Sequence, residues 1–453
     1  MDTAAPFHAW RYSPAAGDPD SLVAPPYDVI GPELQSRLYA RSRNNVVRVD
    51  LGMTMPSDTD CDNRYTRAAA QLEKWKKDGV LVRDQTPTLT FVEEEFTGPD
   101  GRARRRHGFL AAVRVHEFSE GVIFPHEQTF SGPKADRFDL MEHTAMSLSP
   151  VFLLYDLPGD PITTAWQAGP GSQPPATVIT GEDGNITRLW PTSDPALLVL
   201  VGRELGDARF VIADGHHRYE TALRYREHRR ELAASGAVAD GAEAALGDPP
   251  AYEYLLAYLS NMADPGLAIY ATHRLVAGVD PGRLAGLPDA LAGTFAVEAL
   301  AAKPGIPGVR DAIEQYLAAH PRGAFAVWAP GAGGLYGLRL VDGSAAAAAA
   351  PGHTAGYQQL DVTILQELIL GPVLGIPAER TSAEGSITYF KDTTDAFERL
   401  DAGEFQAGFF MNPTGLEQVR EVAFAGERMP QKATFFYPKL PTGLVFQDLS
   451  GTL

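Results

Sequence analysis

Four apolar residues, Phe210 to Ala213, run directly into Asp214-Gly215-His216-His217-Arg218, and from there to Glu231 the chain reads as a helix. A buried strand that becomes a helix across a single glycine fixes local geometry more tightly than any other stretch of this sequence. The first N–H groups of such a helix have no acceptor inside it and point outward beside the positive end of its dipole. That turn binds phosphate or carboxylate. Arg218 adds a forked, permanently charged donor, and His216 or His217 can add hydrogen bonds or a proton relay near neutral pH. Asp214 beside an anion site is useful as a Mg²⁺ ligand or as the base that takes a proton from a nucleophile. A plainer account makes Asp214 a helix N-cap and places Arg218, Arg224 and Arg226 on a solvated face.

The 453 residues exceed one ordinary core and predict two or three domains. A hydrophobic content of 44% with 21% charged residues is that of a globular chain. The net charge of −18 argues against general binding to nucleic acid or to an anionic membrane, both of which need a basic field. Any anionic ligand must therefore be held locally. Cys61 stands alone and fits a reducing compartment. The N-terminus lacks the basic and apolar pattern of a signal peptide, and no apolar run reaches 18 residues, so the expectation is a cytoplasmic protein. An isologous homodimer is compatible with the sequence but not indicated by it.

Four segments follow from the patterning. Residues 1–157 read as mixed α and β, with a rigid turn in "APPYDVI", a helix in "RYTRAAAQLEKWKKDGVL", and a hairpin of "TPTLTFVEEEFTG" with "HGFLAAVRV" across Gly98-Pro99-Asp100-Gly101. Residues 158–276 open with a Pro, Gly and Thr-rich stretch to 188, read as a loop or boundary holding at most a short strand. They continue through the Asp214 turn and a stretch at 231–250 read as a surface insertion to a central strand in "AYEYLLAYLSNM". Residues 277–355 are rich in Ala, Gly and Pro, and their six-alanine run after Ser344 is read as a solvent loop rather than a short helix. Residues 356–453 hold a helix in "LDVTILQELIL", a strand in "GEFQAGFFM" and the run "MPQKATFFYPKL".

Four further stretches carry candidate chemistry. His126, Glu127, Thr129, Lys134, Asp136 and Arg137 fall within a dozen residues, a density that suggests convergence on a ligand. Glu127 is the first choice for a general base or Mg²⁺ ligand, His126 and Thr129 for substrate contacts, and Lys134 and Arg137 for neutralising phosphate; an exposed charged loop is the alternative. In "MPQKATFFYPKL", strand alternation puts Lys432 and Thr434 on one face, with Lys432 toward phosphate and Thr434 toward substrate. An edge strand guarded by lysines competes with this. Tyr27 and Asp28 sit on the "APPYDVI" turn as substrate contacts or as turn residues, and His273 in "ATHRLV" is a ligand or a satisfied core histidine. No P-loop and no strand–GxGxxG–helix unit occurs.

The stretch Gly215-His216-His217-Arg218-Tyr219-Glu220-Thr221-Ala222 resembles the nucleotide-binding signature of the ParB and sulfiredoxin superfamily, matching at Gly215, His217, Arg218, Tyr219 and Ala222. His216 stands where sulfiredoxins need a catalytic cysteine, which excludes sulfinic acid reduction of that kind. ParB-like free serine kinases, which pass a phosphoryl group from a nucleotide to serine, are similar in having Asp and His in this turn. Five motifs in order, "APPYDVI", "PHEQTF", "ADGHHRYETAL", "ATHRLV" and "MPQKATFFYPKLPTGLV", also resemble the bacterial family called domain of unknown function 1015. The resemblance implies an α+β protein with a ParB/sulfiredoxin-like core. It further implies a site at Gly215, His217, Arg218 and Tyr219 for ATP, ADP or another nucleotide with Mg²⁺ on Asp214 and Glu127, and an acceptor such as L-serine. A phosphoserine phosphatase and a nucleotide-binding switch remain the alternatives.

Overall fold

The computed structural model describes residues 3–98, 100–127, 132–236, 249–377 and 386–453. The fold is α+β and divides into two compact units. The first comprises residues 1–125, 129–267 and 438–453, and the second comprises residues 126–128 and 268–437. This division cuts across the four sequence segments, because the last sixteen residues return to the first unit and His126–Glu127 belong to the second.

The first unit is built on a mixed sheet, nine-stranded among the described residues. Its order is Ile123–Pro125, Phe210–Asp214, Val151–Tyr155, Tyr254–Asn261, Ala103–Arg114, Leu89–Thr97, Ile186–Thr192 and Thr177–Thr180, with Ala4–Ala5 beside Ala103–Arg114. Tyr254–Asn261, buried at every position, is the central strand its apolar pattern predicts, parallel to Val151–Tyr155 and antiparallel to Ala103–Arg114. The Leu89–Thr97 and Ala103–Arg114 hairpin forms as read.

Residues 158–188 depart from the loop expectation. Asp160 caps a helix at Pro161–Ala168, whose Trp166 is buried and stacks on Phe91 at 5.2 Å, and the segment then supplies two sheet strands. Its many glycines and prolines mark the helix ends and turns, while sparse but large apolar side chains do the packing. A second cluster gathers Val46, Val47, Val49, Leu72, Trp75, Met146, Leu148 and Phe446 around the predicted Arg64–Lys77 helix.

The same sheet holds His107 between two carboxylates, with Nδ1 at 3.2 Å from Asp264 Oδ2 and Nε2 at 3.2 Å from Glu93 Oε2. Burial opposes the charged imidazole, but the hydrogen bonds to Asp264 and Glu93 outweigh it and push His107 up to about 9. A folded-state value above the unfolded one gives stability that is complete below about pH 6.5 and is lost as pH rises through about 9. Urea unfolding of the wild type and of His107→Gln should therefore show a stability difference that shrinks across that window. A difference that stays flat would remove the charge from this contact.

The second unit has a six-stranded antiparallel sheet among the described residues, ordered Phe295–Ala299, Gly334–Leu340, Ala324–Ala329, Ala407–Met411, His273–Val276 and Ile387–Phe390. Helices Ile306–Ala319 and Thr393–Asp401 pack on it through Ile313, Leu317, Phe397 and Leu400. The alanine run is a helix, Ser344–Ala349, and not a loop, as the high helix propensity of alanine favours. Residues 361–365 are helical as predicted, but the pattern continues as a wider turn over 366–370. Most of the insertion read at 231–250 lies outside the described residues; its first residues extend the Asp214-turn helix to Ala234.

Candidate functional site

The Phe210–Asp214 strand ends at Gly215, whose φ of 90° only glycine adopts easily, and the helix His216–Ala234 begins there. A Cβ on Gly215 would also stand 2.9 Å from Arg218 Nε. The glycine thus lets the turn reverse and lets the Arg218 side chain fold back over it. The first intrahelical bond runs from Tyr219 N to Gly215 O, so the N–H groups of 216 to 218 have no acceptor within the helix.

Asp214 is not an N-cap. Gly215 holds that position, and no side chain caps the helix. The sheet register slips between Ile212 and Asp214, a bulge of the kind that re-aims a side chain. One Asp214 oxygen, Oδ2, accepts from Arg218 Nη2 at 2.6 Å, and the other, Oδ1, accepts from Lys439 Nζ. Arg218 Nη1 donates to Pro150 O. The three side chains are 12 to 20% exposed, so the cluster opens to solvent at a helix N-terminus. His216 is buried and His217 half-buried, which gives the two neighbours different surroundings.

Tyr219 departs from the nucleotide role implied for it. Its ring is fully buried against Phe118 at 5.4 Å, and its hydroxyl donates to His116 O at 2.8 Å and accepts from His116 N at 2.9 Å. Arg137 is likewise committed to the protein. Its guanidinium donates to Asp136 at 2.6 and 2.8 Å and to Asp50 O at 2.8 Å, and it stacks 4.1 Å over the Tyr27 ring. Burial raises the Asp50 carboxyl against the opposing pull of Arg137 and Arg218. Burial also raises Tyr27, with Arg218 and Arg137 again pulling the other way, which places the tyrosine of "APPYDVI" in the field of the Asp214 turn. Asp28 is exposed on the same 3₁₀ turn.

Asp50, Arg137, Ser147, Ser149, Arg218 and Thr221 line part of a cavity of about 40 Å³ behind this turn. That is space for a few water molecules. It is too small to hold a nucleotide.

The C-terminal motif divides between the units. Lys439 and Thr442 join the first: Lys439 pairs with Asp214, Thr442 pairs with Ala24, and Ser149 Oγ lies 2.6 Å from Thr442 Oγ1. Lys432 and Thr434 join the second, with His126 and Glu127. Lys432 is exposed and has φ 55°, so the alternation that paired it with Thr434 does not hold; the strand itself is only Phe435–Tyr437. Its N–H donates to Glu127 Oε1 at 3.0 Å, and its carbonyl accepts from Thr272 Oγ1 and Arg274. His126 is buried with Nε2 at 2.8 Å from Thr434 Oγ1. His273 is a core histidine, which burial and the adjacent Arg274 push down to about 4. Thr129 lies outside the described residues, and Lys134 occupies the first turn of the Gly132–Thr144 helix with its side chain outside them.

Three residues passed over in the sequence enter here. Lys439 was visible beside the aromatic strand, but only its pairing with Asp214 separates it from Lys432. Arg106 and Glu94 form a buried ion pair, signalled by counting back from the Gly98–Gly101 turn, which sets them opposite each other.

Asp214 does not fit the Mg²⁺ role expected of it, because both its oxygens already face side-chain cations that would repel another. Glu127 lies in the other unit, and no group of three or more His, Cys, Asp or Glu suited to a metal occurs among the described residues. No helix among them is long and apolar enough to cross a membrane.

A comparison with curated proteins gives no match. Among solved structures, the chain is similar to a mutant free serine kinase in complex with AMP at 15% identity and a TM-score of 0.35, over 72% of this chain and 88% of that one. It is similar to a conserved hypothetical protein from Pyrococcus furiosus at 15% identity and a TM-score of 0.32, over 71% and 89%. A C-terminally truncated SbnI from Staphylococcus aureus gives 10% identity and a TM-score of 0.33, over 76% and 87%. Likeness at this level transfers no residue roles. The family described as protein of unknown function (DUF1015) matches residues 4–363, a span that contains the "APPYDVI" turn, the Asp214 cluster's strand and helix, and the His273 strand, and the chain belongs to that family.

Proposed function

We propose that this chain is a nucleotide-dependent phosphotransferase with a ParB/sulfiredoxin-like first unit, acting on a small hydroxyl-bearing metabolite, with L-serine the first acceptor to test. The observation that carries this reading is one carboxylate, Asp214, held between Arg218 and Lys439 at the start of a long helix. Phosphoryl transfer needs mainly positioning and charge stabilisation. In this reading the transferred phosphate lies against the helix N-terminus, and Arg218 and Lys439 exchange the carboxylate for phosphate oxygens. Asp214 then takes the proton of the acceptor hydroxyl as its oxygen bonds to phosphorus and the bond to the nucleotide breaks. The choice of serine rests on the Gly215–Ala222 signature alone.

A ³¹P time course with ATP or ADP and L-serine, run with and without Mg²⁺, tests it, with phosphoserine alone in a parallel sample. Phosphoserine formed from nucleotide supports the kinase. Inorganic phosphate released from phosphoserine alone replaces it with a phosphatase, and nucleotide binding without turnover replaces it with a switch. Calorimetry adds a second check: Lys439→Met should weaken ADP binding roughly tenfold, the scale of a hydrogen bond to a charged group. Lys432→Met, an exposed side chain, should leave it nearly unchanged.

A further inference from the structure

The phosphate-site reading leaves unused the buried ion pair beneath the Asp214 cluster. Arg106 is fully buried and Glu94 almost so, and Arg106 Nε and Nη2 donate to Glu94 Oε2 at 2.8 and 2.5 Å. The guanidinium lies 4.9 Å over the Phe152 ring and 5.5 Å from that of Tyr258. An apolar pair of similar volume often holds a core as well as a buried ion pair does. What these charges add is a directed donor, because Arg106 Nη2 also donates to Pro438 O at 2.9 Å.

Both ends of the Lys439–Asp214 contact meet at this arginine. Pro438 immediately precedes Lys439, and with no N–H of its own it can be held by hydrogen bonding only through its carbonyl. Phe152, under the guanidinium, is the cross-strand partner of Asp214. Resting on the phosphate-site reading, we infer that Glu94 and Arg106 are a positioning pair, fixing the Pro438 carbonyl so that the Lys439 ammonium stands at Asp214, ready for a ligand phosphate.

The test uses the full chain with Glu94→Leu and Arg106→Met combined, which removes both charges and leaves neither buried alone. Two readouts are taken: the ¹H–¹⁵N signal of the Lys439 ammonium, assigned by its loss in Lys439→Met, and ADP affinity by calorimetry. The expected result is a folded protein whose Lys439 signal moves to its position in Asp214→Asn. ADP binding should be weakened roughly tenfold, with little further loss when Lys439→Met is added. An unmoved Lys439 signal overturns the inference. A moved signal with unchanged ADP affinity keeps the positioning role and removes the phosphate-site reading instead. If the paired variant does not fold, Glu94→Gln combined with Arg106→Gln is read in the same way, since the shorter amide ends where Arg106 Nε meets residue 94 and does not reach Pro438, which only Nη2 serves.

Discussion

Asp214→Asn should lower phosphoryl transfer by about 10²–10⁴-fold, the range lost with a general base, while ADP binds at least as tightly as before. The two effects have one origin. Asparagine fills the same space but accepts no proton at neutral pH, so the acceptor hydroxyl keeps its hydrogen. It also offers no negative charge to Arg218 and Lys439, which are then released to the phosphate oxygens. The fold should survive, because Gly215 and not Asp214 occupies the N-cap. Steady-state rates together with an ADP titration check both halves. Turnover at the wild-type rate would move the proton acceptor to another residue, and weaker ADP binding would mean that Asp214 itself meets the nucleotide.

The second large effect concerns stability. Tyr219→Ala should destabilise the protein by about 3–5 kcal/mol, as removal of a buried aromatic ring generally does. Tyr219→Phe should lose about 1–3 kcal/mol, because it leaves the part-buried His116 N–H and carbonyl without the hydroxyl that serves both. Urea midpoints measure these differences. The folded Tyr219→Phe protein should bind ADP like the wild type. An affinity loss without a stability loss would restore the ligand contact that the sequence signature implies.

Tyr219 shows how far that signature can be read. The strand, glycine and helix were legible because four apolar residues, one permissive backbone position and a helical period all act locally. Which face Tyr219 takes was not legible, since it depends on His116 and Phe118 arriving from another strand's end. The two lysines of "MPQKATFFYPKL" show the same limit. In the sequence Lys432 and Lys439 stand alike at the two ends of an aromatic run, but Lys432 sits in a left-handed turn before the strand begins. Lys439 is placed by pairings of Thr442 with Ala24 and of Phe446 with Trp10, each more than 400 residues away in sequence. Arg137 looked like a phosphate ligand because sequence shows its charge but neither the approach of Asp50 nor the pairing with the neighbouring Asp136, which already use it.

The return of residues 438–453 to the first unit also sets an order of events during synthesis. When residue 267 leaves the ribosome, Asp214 and Arg218 can meet, but Lys439 and the Pro438 carbonyl do not yet exist. Closing the chain back over about 170 intervening residues adds only a slowly growing entropic term, yet it cannot happen until translation has passed the whole second unit. The nascent first unit would therefore carry an exposed Val46–Trp75 cluster awaiting Phe446 and an Arg106 short of one acceptor. A chaperone that recognises apolar surface would find that cluster available for most of the chain's time on the ribosome.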